Sequence, residues 1–264
     1  MEVVNNITIL GGFDKNGKYE DIELTLNCGE VIAIVGKTGA GKSRLLEDIE
    51  CIAQKDTPTK RKILINGKSP EDDYRFNMEN KLVAELSQNM NFVMDLGVKE
   101  FIMLHADTRG VKDLEKIADE IIENANNLAG EKFEYDTPLT ELSGGQSRSL
   151  MIADTARLSN SPIILIDEIE NAGVDKKKAL DLLIRSNKII IMSTHDPLLA
   201  LLCDKRIIIK NGGIDKIITT AEEEEKTTLE ELYIYDSRIQ KLRESLREGR
   251  KMDLSEINYF QWEE

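Results

Sequence analysis

Long apolar runs are missing from this chain of 264 residues: the longest hold five or six apolar residues, far short of the roughly 18 that a membrane-spanning helix needs. No spanning segment is expected, and Met1-Glu2 opens without the basic stretch of a secretory leader. Cysteine is scarce. Cys28, Cys51 and Cys203 are widely separated and odd in number, which argues against a disulfide or metal framework and for reduced thiols in a cytoplasmic protein. Positive charge is in deficit, with 35 Lys and Arg against 49 Asp and Glu and a net charge of -14. That sign disfavours general nucleic-acid binding through phosphates. No internal repeat is apparent. What remains is a chain with 41% hydrophobic residues, enough for the core of one large domain or of a main domain with a smaller one.

One stretch organises the rest. Gly36, Lys37, Thr38, Gly39, Ala40, Gly41, Lys42 and Ser43 match the pattern G-x-x-x-x-G-K-[ST] of a phosphate-cradling loop. Before it, Val31 to Val35 is a β-branched run that reads as a buried strand; after it, Arg44 to Ile49 has apolar residues at helical spacing. Glycines let backbone N–H groups curl around a phosphate, and the helix N-terminus adds partial positive charge. Lys42 is placed to reach the outer phosphates and Ser43 to offer its hydroxyl to Mg²⁺.

Along the chain, residues 3–10 and Asp21 to Leu26 read as strands, the second with one wet face. Ile63-Leu64-Ile65 with Asn66-Gly67 reads as a strand entering a tight turn. Residues 71–80 are polar and read as loop, and Leu82 to Leu86 as a strand. From Phe92 to about Thr140 apolar residues recur at three and four, which predicts a small helical subdomain. Ile163 to Ile166 is the near-continuous apolar run of a parallel strand covered on both faces. Lys176 to Ile184 and Pro197 to Leu202 read as helices, Ile189 to Met192 as a strand, and Ile207 to Ile218 as a hairpin around Asn211-Gly212-Gly213. The alternation predicts an α/β fold: a phosphate-loop NTPase core with a mainly parallel sheet, a small antiparallel β subdomain and a helical subdomain at about 92–150.

Four features follow the phosphate loop in order. Gln88 ends a strand; Leu142-Ser143-Gly144-Gly145-Gln146 precedes a helix; Ile163 to Ile166 leads into Asp167-Glu168; and His195 sits in Ser193-Thr194-His195-Asp196. Taken on chemistry alone, Asp167 suits Mg²⁺, together with Ser43 and Gln88. Glu168, one peptide further, suits the orientation or deprotonation of an attacking water. His195 can contact a terminal phosphate, and the Gln88 amide can report on metal and water. Together these features make residues 1–220 resemble the ATP-binding cassette (ABC) ATPases, whose signature is the Leu-Ser-Gly-Gly-Gln pentapeptide. The resemblance implies Mg-ATP hydrolysis between two head-to-tail subunits, a homodimer or a pair of paralogues. Ser143, Gly144, Gly145 and Gln146 of one would meet the γ-phosphate held by the other's Lys42. It also implies an aromatic residue stacked on adenine, for which Phe13 is first choice and Tyr19 second. The loop from Ile169 to Asp175 is one residue longer than the family's usual form, which bears on Asp175 as the interface aspartate, and Asp154 stands where an arginine is usual.

The resemblance leaves three readings of purpose. Leu96-Gly97-Val98-Lys99-Glu100 is similar to the segment before the permease contact in transporter subunits. That favours a cytoplasmic ATP-binding subunit held at the inner face of the membrane by a separate permease. The unusual interface loop and tail favour instead a soluble cassette ATPase in a complex for iron–sulfur scaffold assembly or metalloenzyme activation. A third class is a sensing adaptor that binds ATP without turnover, against which Glu168 argues. Substrate and direction of transport are not written in these residues.

His105 lies on an apolar helical face without a nearby second ligand and reads as a satisfied boundary residue rather than a metal ligand. Glu222 to Glu225 reads as a solvated linker in a tail of residues 221–264. Leu232, Tyr235, Ile239, Leu242 and Leu246 place an apolar stripe on a helix there, for docking on its own body or on a partner. The aromatic end Tyr259-Phe260-Gln261-Trp262 could anchor either way.

Overall fold

In the computed structural model, residues 3–76, 81–87, 91–168, 174–220 and 224–250 are described. The chain forms two units, residues 1–219 and 220–264. The first holds strands β1 (Asn6–Leu10), β2 (Glu23–Asn27), β3 (Val31–Val35), β4 (Lys62–Ile65), β5 (Val83–Leu86), β6 (Ile163–Asp167), β7 (Ile189–Ser193), β8 (Lys205–Lys210) and β9 (Gly213–Thr219). Its helices are α1 (Lys42–Glu50), α2 (Asp72–Phe76), α3 (Val98–Asp107), α4 (Leu114–Leu128), α5 (Gly144–Leu158), α6 (Lys176–Ile184) and α7 (Pro197–Leu202). In the second unit, α8 runs over Glu224–Arg247. Ile234, Ile239 and Leu246 are exposed on it.

The larger sheet has the order β5-β6-β7-β3-β8-β9, parallel throughout except for the β8–β9 hairpin. Its central strands β3, β6 and β7 are apolar on both faces because both faces are covered. Ile32, Ile34, Leu165 and Ile191 point into one core with Leu45 and Ile49 of α1 and with Ile7, Ile9, Leu24 and Leu26 of the small sheet. Their neighbours Val31, Ala33, Ile164, Ile166 and Ile190 point into a second core with Ala179, Leu183 and Leu199 of α6 and α7. A third core joins α3, α4 and α5 through Ile102, Ile121, Ile122, Leu150 and Ala153. The small sheet, β2-β1-β4, is antiparallel.

Three expectations need correction in detail. The first strand begins at Asn6 rather than residue 3, because the Asn66 side chain takes over the ladder there: its Oδ1 accepts from the Asn5 and Asn6 N–H groups, and its Nδ2 donates to the Val3 carbonyl. The stretch read as loop at 71–80 contains α2, a five-residue helix with Asp72 and Asp73 in its first turn. Carboxylates there favour the positive end of the helix dipole, while one turn is too short to show a 3.6-residue period. The second strand is displaced two residues at its start, to Glu23. The Asn66-Gly67 turn is as expected, with both residues left-handed (φ 49° and 76°), as a two-residue hairpin turn requires.

A buried charge cluster ties the two sheets together. Arg61 is fully buried, as are Asp48 and Glu20 nearly so. The guanidinium donates to Glu20 from Nε (2.9 Å) and Nη2 (2.8 Å), to Asp48 Oδ2 from Nη1 (2.9 Å) and to the Gly212 carbonyl from Nη2 (2.8 Å). Burial alone would lower the Arg61 pKa, but the two carboxylates outweigh it and hold it raised. Breaking such a cluster on one side leaves uncompensated charge in the interior. Arg61→Met is therefore expected to cost about 3–5 kcal/mol in urea unfolding, with part of the loss recovered when Glu20 and Asp48 are changed to Gln and Asn in the same chain.

Lys188 carries a second electrostatic cost. Burial, with the charge of Arg109 adding to it, pushes its amine down to about 8 from the ordinary 10.5, while Nζ donates to the Ser159 carbonyl. Between those two values the unfolded chain binds more protons at this site than the folded one, so this group's contribution to stability rises with pH there. Below that window the penalty is present in full. Lys188→Met should flatten the rise, as measured by urea unfolding at about pH 7.5 and about pH 10.

Candidate functional site

The parallel ladder sets the site. In register, Ile34 lies beside Ser193, and Ser193 beside Asp167. The segments that leave β3, β6 and β7 therefore emerge at one edge of the sheet, the carboxyl end, where α/β folds place their ligands. From β3 comes the phosphate loop, from β6 Glu168, and from β7 His195.

The loop's backbone is fixed from outside. Gly41 precedes α1 with φ 103°, and a Cβ there would stand 2.7 Å from Gly212 Cα. Only glycine permits both that conformation and that approach. The Ala40 carbonyl accepts from the Gly212 N–H (2.6 Å), and the Gly39 carbonyl accepts from Lys15 Nζ (2.8 Å). Thr38, Gly39 and Ser43 are exposed, and Lys42 is buried.

Lys42 Nζ donates to the Gly36 carbonyl at 3.1 Å and lies 2.7 Å from His195 Nε2. An ammonium has only protons to give, so Nε2 accepts and a neutral His195 carries its proton on Nδ1. The same Nε2 stands 3.6 Å from Glu168 Oε1. Glu168 itself has φ 50°, a left-handed conformation uncommon outside glycine and concentrated at functional sites. Its N–H donates to the Ser193 carbonyl at 3.0 Å, which ties the strained residue to the strand that carries His195. Asp196 caps α7 through the Leu198 N–H (2.8 Å) and pairs with Lys176. The structure thus brings Lys42, His195 and Glu168 together, with Asp167 half-buried at the end of β6. Gln88 lies outside the described residues.

Among the described residues no cluster of three or more His, Cys, Asp or Glu could hold a metal by itself. The side-chain oxygens at this edge include the exposed Ser43 hydroxyl and the carboxylates of Asp167 and Glu168. Such a sparse hard-oxygen set suits Mg²⁺, which is bound through one or two protein oxygens plus phosphate and water. The negative charge of Asp167 is felt nearby: burial first, then Glu50 and Asp167, push the Glu85 carboxyl above its ordinary value.

The pentapeptide opens α5. Ser143 is the N-cap: its Oγ accepts from the Gln146 N–H (3.3 Å), and the Gln146 side chain accepts in return from the Ser143 N–H (2.8 Å). The Gln146 amide also donates to the carbonyls of Glu131 and Lys132. Ser143 and Gly144 are exposed, and a Cβ at Gly144 would meet nothing within 4 Å. Phe13 and Tyr19 are both exposed and meet edge to face, with ring centroids 5.5 Å apart. Asp175 caps α6 by accepting from the Lys178 N–H at 3.1 Å. His105 is satisfied, as expected: Nδ1 lies 2.7 Å from Asp154 Oδ1, and the ring stacks on Phe101. Asp154, unusual at its position, is the partner of this histidine.

Residues 19–171 match the ABC transporter family. The chain is 50% identical over 256 residues to an uncharacterised ABC transporter ATP-binding protein of Methanocaldococcus jannaschii, an alignment that covers 97% of each. The chain belongs to the ABC transporter family. As a cassette of this family it binds ATP and is an ATPase. It is also 31% identical to the lipoprotein-releasing system ATP-binding protein LolD of Rickettsia typhi, covering 79% of this chain and 97% of that one. With the macrolide export ATP-binding/permease protein MacB of Campylobacter fetus it shares 30% identity, spanning 81% of this chain but only 34% of that longer protein. The fold matches an ATP-binding cassette solved as a dimer after hydrolysis with ADP and Pi, at a TM-score of 0.61 and 24% identity over 81% of this chain and 99% of that one. The α/β core with its small antiparallel sheet and helical subdomain is that of the cassette.

What the sequence did not reveal is the support behind the site. Neither the Arg61 cluster nor the Lys15 contact with Gly39 carries a motif, since each joins residues distant in the chain. The left-handed Glu168 leaves no compositional trace at all.

Proposed function

We infer that this chain is the ATP-hydrolysing subunit of a membrane transporter, working as a head-to-tail pair of cassettes. The observation that carries the catalytic part is the convergence of Lys42 and Glu168 on His195 at the carboxyl end of the sheet, 2.7 and 3.6 Å from its Nε2. Lys42 and the loop amides bind the β- and γ-phosphates. Ser43 and Asp167, with Gln88, would hold Mg²⁺, which when bound offsets phosphate charge. Glu168, held in a strained backbone conformation beside His195, takes a proton from, or orients, the attacking water. His195 contacts the γ-phosphate, so its orientation depends on whether that phosphate is present.

The second half of each site comes from the partner's α5. There the exposed Ser143 and the Gly144-Gly145 backbone close on the γ-phosphate with the positive end of a helix. Contacts made only while that phosphate is present give hydrolysis its differential effect on the dimer. Among the described residues no helix is long and apolar enough to cross a membrane. In this reading the spanning part is a separate permease, and the chain lies on the cytoplasmic side through it. One relative is named for macrolide export and another for methionine import, so this reading does not assign a direction.

Glu168→Gln is expected to bind ATP, to stay dimeric in its presence and to hydrolyse it at least about 100-fold more slowly, while Lys42→Ala loses binding. Phosphate release and light scattering with Mg-ATP read both, and wild-type turnover by Glu168→Gln would remove the base assignment.

Phe13→Ala is expected to weaken ATP binding about tenfold, in line with stacking of about 1–3 kcal/mol per base, and Tyr19→Ala to weaken it less. Fluorescence titration with a nucleotide analogue compares them, and the reverse order would move the adenine to Tyr19.

A further inference from the structure

Around the phosphate loop lies a closed circuit of buried contacts. Arg61 Nη2 donates to the Gly212 carbonyl (2.8 Å), and the Gly212 N–H donates to the Ala40 carbonyl of the phosphate loop (2.6 Å). Arg61 also grips Glu20, whose carboxylate accepts from the Gly12 N–H (3.2 Å) and from the Ile214 N–H. Gly12 adjoins Phe13, whose N–H donates to the Thr59 carbonyl (2.6 Å), and the buried Thr59 hydroxyl donates to Asp48 Oδ2 (2.8 Å). Asp48 lies on α1, the helix that begins at Lys42, and completes the circuit through Arg61 Nη1. On the outer side, the Lys15 N–H donates to the Asn211 carbonyl (2.8 Å) and its Nζ to the Gly39 carbonyl (2.8 Å). One guanidinium thus joins the loop 11–20 directly to the β8–β9 turn, and reaches the phosphate loop through the Gly212 N–H and through Asp48 on α1.

We propose that Arg61 is a positioning residue for the nucleotide: it latches the loop that carries Phe13 to the loop that cradles the phosphates, so that base and phosphate contacts act as one site. This rests on the reading of residues 36–43 as the triphosphate cradle and of Phe13 as the base contact. Two contacts to one ligand reinforce each other only when their spacing is fixed in advance. A guanidinium can do this where an ammonium cannot, because its planar fork holds Glu20 by two bonds while reaching Asp48 and Gly212. Arg61→Lys keeps the charge and gives up that simultaneous grip.

The test is isothermal titration of the β,γ-imido analogue of ATP and of tripolyphosphate, both with Mg²⁺, into the whole chain as wild type, Arg61→Lys, Lys15→Met and Lys42→Ala. The wild type prefers the nucleotide analogue to tripolyphosphate. In Arg61→Lys and in the surface variant Lys15→Met that preference falls by about tenfold, with a smaller change in tripolyphosphate affinity. A merely structural Arg61 would lower the melting temperature and leave the preference intact, and that result in folded Arg61→Lys overturns the proposal. Should Arg61→Lys not fold, Glu20→Gln, which loosens the fork's two-bond grip on the loop 11–20, is titrated in its place, and an unchanged preference there overturns the proposal. Equal wild-type affinity for both probes also overturns it, through Phe13. Lys42→Ala that still binds both probes would instead overturn the reading of the cradle itself, and is thereby told apart from failure of the latch.

Discussion

The hydrogen-bond ladder between β3, β7 and β6 aligns Ile34 with Ser193 and Ser193 with Asp167, and every group that meets at the site is placed by that alignment. In a parallel sheet the strands end together, so the residues just past each end are neighbours without any contact of their own to arrange it. A slip of one residue in β6 would exchange its two faces. It would send Ile164 and Ile166 toward α1 and move Asp167 and Glu168 away from Lys42. The burial of alternate strand residues in two separate cores prevents that slip. Hydrophobic packing on both faces is therefore what fixes the distance between an ammonium, an imidazole and a carboxylate.

Local strain appears where the alignment has to be modified. β6 would carry Glu168 straight on, but a φ of 50° turns the chain instead, at a cost of order 1–3 kcal/mol for a non-glycine residue. The Glu168 N–H to Ser193 carbonyl bond, at 3.0 Å, keeps the turned peptide attached to the sheet. Adjacent carboxylates on a regular strand would already point to opposite faces. The turn redirects the chain at Glu168, whose carboxylate lies 3.6 Å from His195 Nε2. Two like charges one peptide apart are in this way given different surroundings, the condition under which paired carboxylates take different roles.

How legible all this was follows the range of each interaction. Apolar runs and turn residues act over a few positions, so the strands around 31–35 and 163–167, the helices 176–184 and 197–202 and the Asn66-Gly67 turn could be read directly from the sequence. The phosphate loop and the pentapeptide were legible because their chemistry needs particular residues at adjacent positions. Helix α2 was not, since five residues give no period and its acids read as loop. Arg61 was not legible either: its partners Glu20, Asp48 and Gly212 lie up to 151 residues away. A lone arginine beside Lys60 and Lys62 looks like a surface charge. Its burial is a property of the assembled core, and no window along the chain contains it. His105 was read as satisfied from its apolar face, but Asp154 as its partner emerged only when α3 met α5.

The glycines divide into two kinds, and the division bears on the pentapeptide. At Gly41 a Cβ would press within 2.7 Å of Gly212 Cα, and at Gly12 within 2.1 Å of the Thr59 carbonyl, so the chain's own packing explains both. Gly144 is different: its backbone is helical, and a Cβ there would meet nothing within 4 Å. Gly144 is the first residue of α5, and among the described residues no contact within its own subunit calls for glycine there. Ser143 points the same way. Its oxygen accepts the capping bond from the Gln146 N–H, which leaves its own proton to be given elsewhere. A bare backbone and a hydroxyl proton at the positive end of α5, with Gln146 tied back to Glu131 and Lys132, make a surface that a phosphate can approach closely. On the proposed reading of a nucleotide shared between two cassettes, this is the surface that would meet the phosphate held by the partner.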